Sequence, residues 1–123
     1  MADEITITMA LSFSKGSYSE SIDIFQFTAD MTGDGYIKQS GSVGATDAAL
    51  PLGNLITTPG WCLFKNTHAS QTITIRPADD GTDLIIVPAG EAVLFKFDPT
   101  DATAPFLMGS GADTTYEYLL IEA

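Results

Sequence analysis

Cysteine is all but missing from this sequence: Cys62 is the single one among 123 residues. One thiol cannot close an internal disulfide, so a fold of this chain must be held by its core. Flanked by Trp61 and Leu63, Cys62 reads as a small buried hydrophobe rather than a reactive thiol. Histidine is as scarce, with His68 alone, and one His with one Cys cannot build a zinc site from nitrogen and sulfur ligands. Cations are also few: Lys15, Lys38, Lys65, Arg76 and Lys96 are scattered singly against 16 Asp and Glu, for a net charge of −11. Nucleic-acid binding rests on clustered cations that displace counterions from phosphates, so nucleic acid and anionic membranes are not the expected partners. The acidity is read as a solubility feature. No apolar run approaches the roughly 18 residues of a membrane span. Met1-Ala2-Asp3-Glu4 lacks a positively charged signal region, and the expectation is a chain made and folded in a cytoplasm.

Recognisable catalytic patterns are missing too. Cys62 and His68 are six residues apart, the first in an apolar run and the second in the polar turn Asn66-Thr67-His68-Ala69-Ser70, with no third group to orient a nucleophile pair. Asp79-Asp80 and Asp98 with Asp101 offer paired carboxylates, but in turn-like surroundings rather than across an apolar cleft. Gly109-Ser110-Gly111 is followed by Ala-Asp-Thr and is no phosphate-binding loop. Asp30 to Ile37 copies the first eight positions of a calcium-binding loop, yet position twelve, which must be a bidentate Glu, is Gly41. That segment reads as a turn. The expectation is therefore a protein that is not an enzyme, with no catalytic, cofactor-binding or metal-binding residues and no cofactor.

What the sequence does carry is a period of two. Ile5, Ile7, Met9, Leu11 and Phe13 alternate with Glu4, Thr6, Thr8, Ala10 and Ser12, which predicts a strand with one buried face. Ile22 to Phe27 is again β-branched and aromatic, and with the turn Thr32-Gly33-Asp34-Gly35 and the return through Tyr36 and Ile37 it predicts a hairpin. Residues 38–60 are rich in Gly, Ser, Thr, Ala and Pro, with Val43, Leu50, Leu52, Leu55 and Ile56 as anchors; short edge strands are expected near Ser42-Val43 and from Ala49 to Leu52. Strands then recur at Trp61–Lys65, Gln71–Arg76, Asp83–Val87, Glu91–Phe97 and Tyr116–Ile121, separated by turn-forming residues.

Length and period together predict one domain over residues 1–123: an all-β, antiparallel two-sheet sandwich, jelly-roll-like, with about eight or nine strands. Trp61, Phe64, Phe95, Phe97, Phe106, Tyr116 and Tyr118 are aromatic enough to line a sugar-stacking surface. Core packing accounts for most of them, with Phe95 and Phe97 inside and Tyr116 and Tyr118 reaching the rim. Pro99 to Pro105 reads as a polar contact loop.

The second half has a recognisable pattern: Leu52-Gly53-Asn54, Thr58-Pro59-Gly60-Trp61, Leu63-Phe64-Lys65-Asn66, Ile73-Thr74-Ile75, Pro88-Ala89-Gly90-Glu91 and Tyr116 to Glu122. Over residues 50–122 it resembles small virion proteins of tailed bacteriophages; the first 40 residues carry no matching pattern. The resemblance implies a place in the virion, as a decoration or cement protein that binds the major capsid protein or other virion proteins, or as a neck or tail component. It also implies a homo-oligomer, with trimers favoured. The charge of −11 disfavours a DNA-facing wall, which leaves the outer surface of the shell or the tail, and the outer capsid surface is the expectation. A receptor- or glycan-binding sandwich is the alternative. Exposed Trp61, Tyr18 or Tyr36 would favour that alternative, and an apolar edge or N-terminal arm would favour the virion role.

Overall fold

The computed structural model describes residues 4–31, 33, 35–53, 59–76, 82–97 and 104–122. Within them the chain is all-β, with antiparallel sheets and no helix. Ten strands are present among the described residues, against an expectation of about eight or nine. By contacts the chain divides into two compact units, residues 1–32 and 33–123.

The first unit is a hairpin of β1 (Ile5–Lys15) and β2 (Tyr18–Ala29). Its two-residue loop is Gly16-Ser17, with Gly16 at φ 59; a left-handed first loop position is what a type II′ turn requires, and Gly takes it without steric cost. The pairing expected for this region was different. β2 turns back on β1 rather than forward on Tyr36 and Ile37, because a two-residue Gly loop between matched strands closes a tighter hairpin than a longer polar turn. Of the expected turn, Thr32 and Asp34 lie outside the described residues.

One irregularity organises this hairpin. Met9 pairs with Phe25 but Leu11 with Ile22, so Asp23 and Ile24 together oppose Ala10 in a β-bulge. Without the bulge Ile22 would face away from Phe25 and Phe27. With it, Ile5, Ile7, Met9, Leu11 and Phe13 share a face with Phe27, Phe25, Ile22 and Tyr18. The other face is polar apart from Ala10 and the exposed Ile24 at the bulge, and there Gln26 Nε2 donates to Thr8 Oγ1 at 3.2 Å. The alternation was legible in sequence; the buried face expected of it was not realised along its length. Ile5 and Ile7 are buried, whereas Met9, Leu11 and Phe13 are exposed.

The second unit holds two four-stranded sheets. One has the order β3 (Tyr36–Val43), β10 (Thr114–Glu122), β5 (Pro59–Asn66), β8 (Ala92–Lys96). The other runs β4 (Ala48–Ala49), β9 (Phe106–Gly109), β6 (Ile73–Arg76), β7 (Ile85–Val87). Alternate residues from both sheets meet in one buried cluster that includes Cys62, Phe64, Tyr116, Tyr118 and Leu120 from the first and Ile73, Ile75, Val87 and Leu107 from the second. Val43, Leu50 and Leu52, read as anchors of the polar stretch, are indeed buried there; Leu55 and Ile56 lie outside the described residues.

Phe64 is fully buried and stacks on Tyr116 at 5.2 Å between ring centroids. Burial of such a ring is worth about 2–3 kcal/mol before any packing term. Gly41, paired with Tyr116, makes the stack possible, because a Cβ there would stand 2.8 Å from the Tyr116 hydroxyl. Tyr116 and Tyr118 were expected at the rim and are instead core residues, 6% and 2% exposed. Both lie on the inward face of β10, a strand flanked by β3 and β5 on either side, so the alternation that sends Leu120 inward takes them with it.

Candidate functional site

Among the described residues, polar and charged side chains gather on the face of the β3-β10-β5-β8 sheet that points away from the core. Register places three rows across it. Lys38, Leu119, Leu63 and Leu94 form one; Ser40, Glu117, Lys65 and Ala92 the next; the outermost joins the pairs Tyr36–Ile121 and Trp61–Lys96 across a register shift between β10 and β5. Three of the chain's five cations therefore stand on one sheet face with a single carboxylate, Glu117, among them, in a chain whose net charge is −11. Sequence reading saw cations scattered singly. It missed their convergence because Lys38, Lys65 and Lys96 come from three strands, and only the register shows that all three sit at outward positions.

The face is amphipathic rather than simply basic. Leu63 and Tyr36 are exposed, at 48% and 66%, while Leu94, Leu119 and Ile121 are half-buried. A shallow depression lined by Lys38, Leu63, Lys65, Glu117 and Leu119 runs across its middle. Lys96 Nζ lies 5.6 Å from the Trp61 ring centroid, so the indole holds a cation over its face. Trp61 itself is half-buried.

Among the described residues, those weighed for chemistry from sequence form no metal-ligating or nucleophilic cluster. The Cys62 thiol is enclosed in the core and burial pushes its pKa up to about 12, which leaves no thiolate for nucleophilic attack near neutral pH. His68, in the polar turn after β5, is half-buried, and its Nδ1 accepts hydrogen bonds from the backbone N–H groups of Ser70 and Gln71 at 3.0 and 2.9 Å. Asp79, Asp80, Asp98 and Asp101 lie outside the described residues, as do Thr32 and Asp34 of the calcium-like segment and most of the Pro99 to Pro105 loop. Among the aromatic residues, Phe64, Phe97, Tyr116 and Tyr118 are buried, and Phe95 and Phe106 are half-buried. The Tyr118 hydroxyl donates to the Pro51 carbonyl at 2.7 Å and accepts from Gln39 Nε2 at 2.8 Å. Burial, then the neighbouring Tyr116, pushes its pKa up to about 12.

No family model matches this chain, and neither does any curated protein or solved structure.

Two polar clusters went unremarked in the sequence, and both are architectural. Asn66 is fully buried: its Nδ2 donates to the Gln71 and Val87 carbonyls at 2.8 and 2.9 Å, and its Oδ1 accepts from the His68 N–H at 2.9 Å. One side chain thus satisfies three backbone groups, two in the loop after β5 and one at the end of β7. Arg76 Nη1 lies 3.2 Å from Asp47, whose side chain is almost fully buried, and its Nε lies 2.6 Å from the half-exposed Asp83. That guanidinium joins the approaches to β4 and β7 at the end of β6, and the Asp83 bond is the main reason its pKa rises. Asn66 gave a partial signal in sequence, being a polar residue at an inward position of a strongly alternating strand.

Proposed function

We propose that this chain is a non-enzymatic assembly protein that docks through an exposed sheet face, and that its setting is a bacteriophage virion, as a decoration or cement protein on the outer capsid surface. The observation that carries the docking reading is the amphipathic face of the β3-β10-β5-β8 sheet. It gathers Lys38, Lys65 and Lys96 around the exposed Leu63 in a strongly acidic chain. A face of that composition has an apolar centre and a charged rim, the division of labour of a protein interface. It also favours an acidic partner surface over a nucleic acid, because the remainder of the chain would be repelled by phosphate.

The virion setting is supported by fold and by resemblance. Numbered within the second unit, the first, eighth, third and sixth strands make one sheet and the second, seventh, fourth and fifth the other. That order supports a jelly-roll sandwich, an architecture used by viral capsid and lectin domains alike. Fold alone does not choose between those uses. The pattern over residues 50–122 and the exposed apolar residues of the N-terminal hairpin favour the capsid use, with the major capsid protein or another virion protein as partner and with the chain acting as a homo-oligomer. The net charge of −11 favours the outside of the shell.

A second reading has its own observation. Tyr18 and Tyr36 are 75% and 66% exposed, as a receptor- or glycan-binding module would have them. Quantitative mass spectrometry of purified virions separates these readings. Hundreds of copies per particle are expected for a capsid decoration; a handful would move the protein to neck or tail. Absence from particles, together with retention on a glycan array, would overturn the virion reading in favour of the alternative.

A further inference from the structure

The hairpin presents an apolar stripe: Met9, Leu11 and Phe13 on β1, with Phe25 and Ile22 opposite the first two on β2, and Tyr18 beyond Glu20 at the loop end. Leu11, Phe13, Tyr18, Ile22 and Phe25 are 72%, 55%, 75%, 61% and 45% exposed. The stripe exists only because the bulge at Asp23-Ile24 returns Ile22 to the same face as Phe25. Bulges re-aim side chains and persist where the re-aiming is useful. A two-stranded hairpin is marginal in water by itself, and one with its apolar face uncovered gains little from that face.

We propose that the stripe is an oligomerisation surface whose occupant is the same stripe of a second copy of the chain. Two arguments select a copy over another partner. The first is area: the five most exposed side chains offer on the order of 600 Å² per copy. Two copies would thus bury about 1,200 Å², where stable specific interfaces begin. The second is charge. Lys15 and Glu20 are the only charged residues on this face, one of each sign on opposite strands near the loop: Lys15 pairs with Tyr18 and Glu20 with Phe13. The face is therefore neutral in a chain at −11, so like charge does not oppose its meeting itself.

The same register fixes a geometry. Place two hairpins face to face about a two-fold axis parallel to the strands, with sheets about 10 Å apart. β1 of each copy then lies over β2 of the other. Leu11 meets Ile22, Met9 meets Phe25, Phe13 meets the Glu20 stem, and Lys15 meets the Tyr18 ring. Lys15 of one copy stands one row, about 7 Å along the strand, from Glu20 of the other, within reach of both side chains, and the symmetry supplies the pair twice.

This inference concerns the isolated chain and does not rest on the virion reading. Its test is sedimentation of the full-length protein over a wide concentration range. A dimer is expected, with the double variant L11S/I22S monomeric and its second unit melting as in the parent chain. Because that variant removes much apolar surface, charge reversal supplies an independent check. K15E alone and E20K alone are each expected to weaken dimerisation about tenfold, and the combination K15E/E20K to recover most of the loss. A monomer at every concentration, a discrete trimer, or a dimer that survives L11S/I22S would overturn the proposal. Failure of K15E/E20K to recover would overturn the two-fold arrangement.

Discussion

β1 and β10 are long strands written in the same code, with an apolar residue at every second position. In β10 the alternate residues Tyr116, Tyr118 and Leu120 are 6%, 2% and 0% exposed. In β1 the corresponding Met9, Leu11 and Phe13 are 39%, 72% and 55% exposed. The difference lies in the neighbours. β10 sits between β3 and β5 and faces residues of a second sheet across one core, whereas the sheet of β1 contains only β2. A period of two reports which side chains share a face; it does not report what covers that face.

The comparison is broken most forcefully by truncating one ring in each unit. Phe64→Ala removes a fully buried ring stacked on Tyr116 and is expected to cost about 3–5 kcal/mol, read as a large fall in the denaturant midpoint followed by core fluorescence. Phe13→Ala, at a half-exposed ring, is expected to leave that midpoint within about 0.5 kcal/mol. A comparable loss from Phe13→Ala in the monomer would mean that the hairpin face is covered after all. Next in size is Asn66→Ala. It leaves the Gln71 and Val87 carbonyls without their side-chain donor inside the core, and a cost of about 2–3 kcal/mol is expected from the same denaturation curves.

The same two strands show how much was legible in the sequence. The all-β class followed from the period and the turn residues, and Pro59–Asn66, Ile73–Arg76 and Ala92–Lys96 fall close to where the apolar runs put them. What escaped was pairing. Ile22 to Phe27 carries no mark of whether it turns back on β1 or forward on Tyr36, and the choice was made by Gly16 and the bulge. Phe106–Gly109 was not read as a strand of its own, because its short apolar run opens after a polar loop and ends in a Gly-Ser-Gly stretch that invited comparison with phosphate loops. The convergence of Lys38, Lys65 and Lys96 was hidden for a related reason: it depends on three registers at once, and a single sequence records none of them.

The two units should also part in alkali. Cys62 and Tyr118 belong to the second unit, and burial raises their pKa values from 9.0 and 10.0 to about 12. Below pH 9 both groups are neutral folded or unfolded, and their burial carries no pH-dependent penalty. Above it the unfolded chain ionises first the thiol and then the phenol while the native state cannot, so stability falls from pH 9 until the native groups titrate near 12. Melting of the core measured across this range is expected to drop from pH 9 onward, and Cys62→Ala to move the onset toward 10. An onset unchanged by that substitution would mean that the thiol is not the first group to ionise.

The smallest effect is the most informative about the hairpin. Gly16 takes φ 59 at the first loop position and has open space around it, so Gly16→Ala introduces backbone strain without a clash, worth about 1 kcal/mol. That energy is expected to appear only locally. Amide exchange at the cross-strand bonds near the loop, such as those of Phe13 with Glu20, should speed up about fivefold, while melting of the second unit stays where it was. If the melt falls as well, opening the hairpin and opening the core are one event, and the independence drawn from their different burial is wrong. If only the exchange responds, β1 and β2 form a separate unit of stability, and any second copy that covers their apolar face would slow that exchange as its concentration rises.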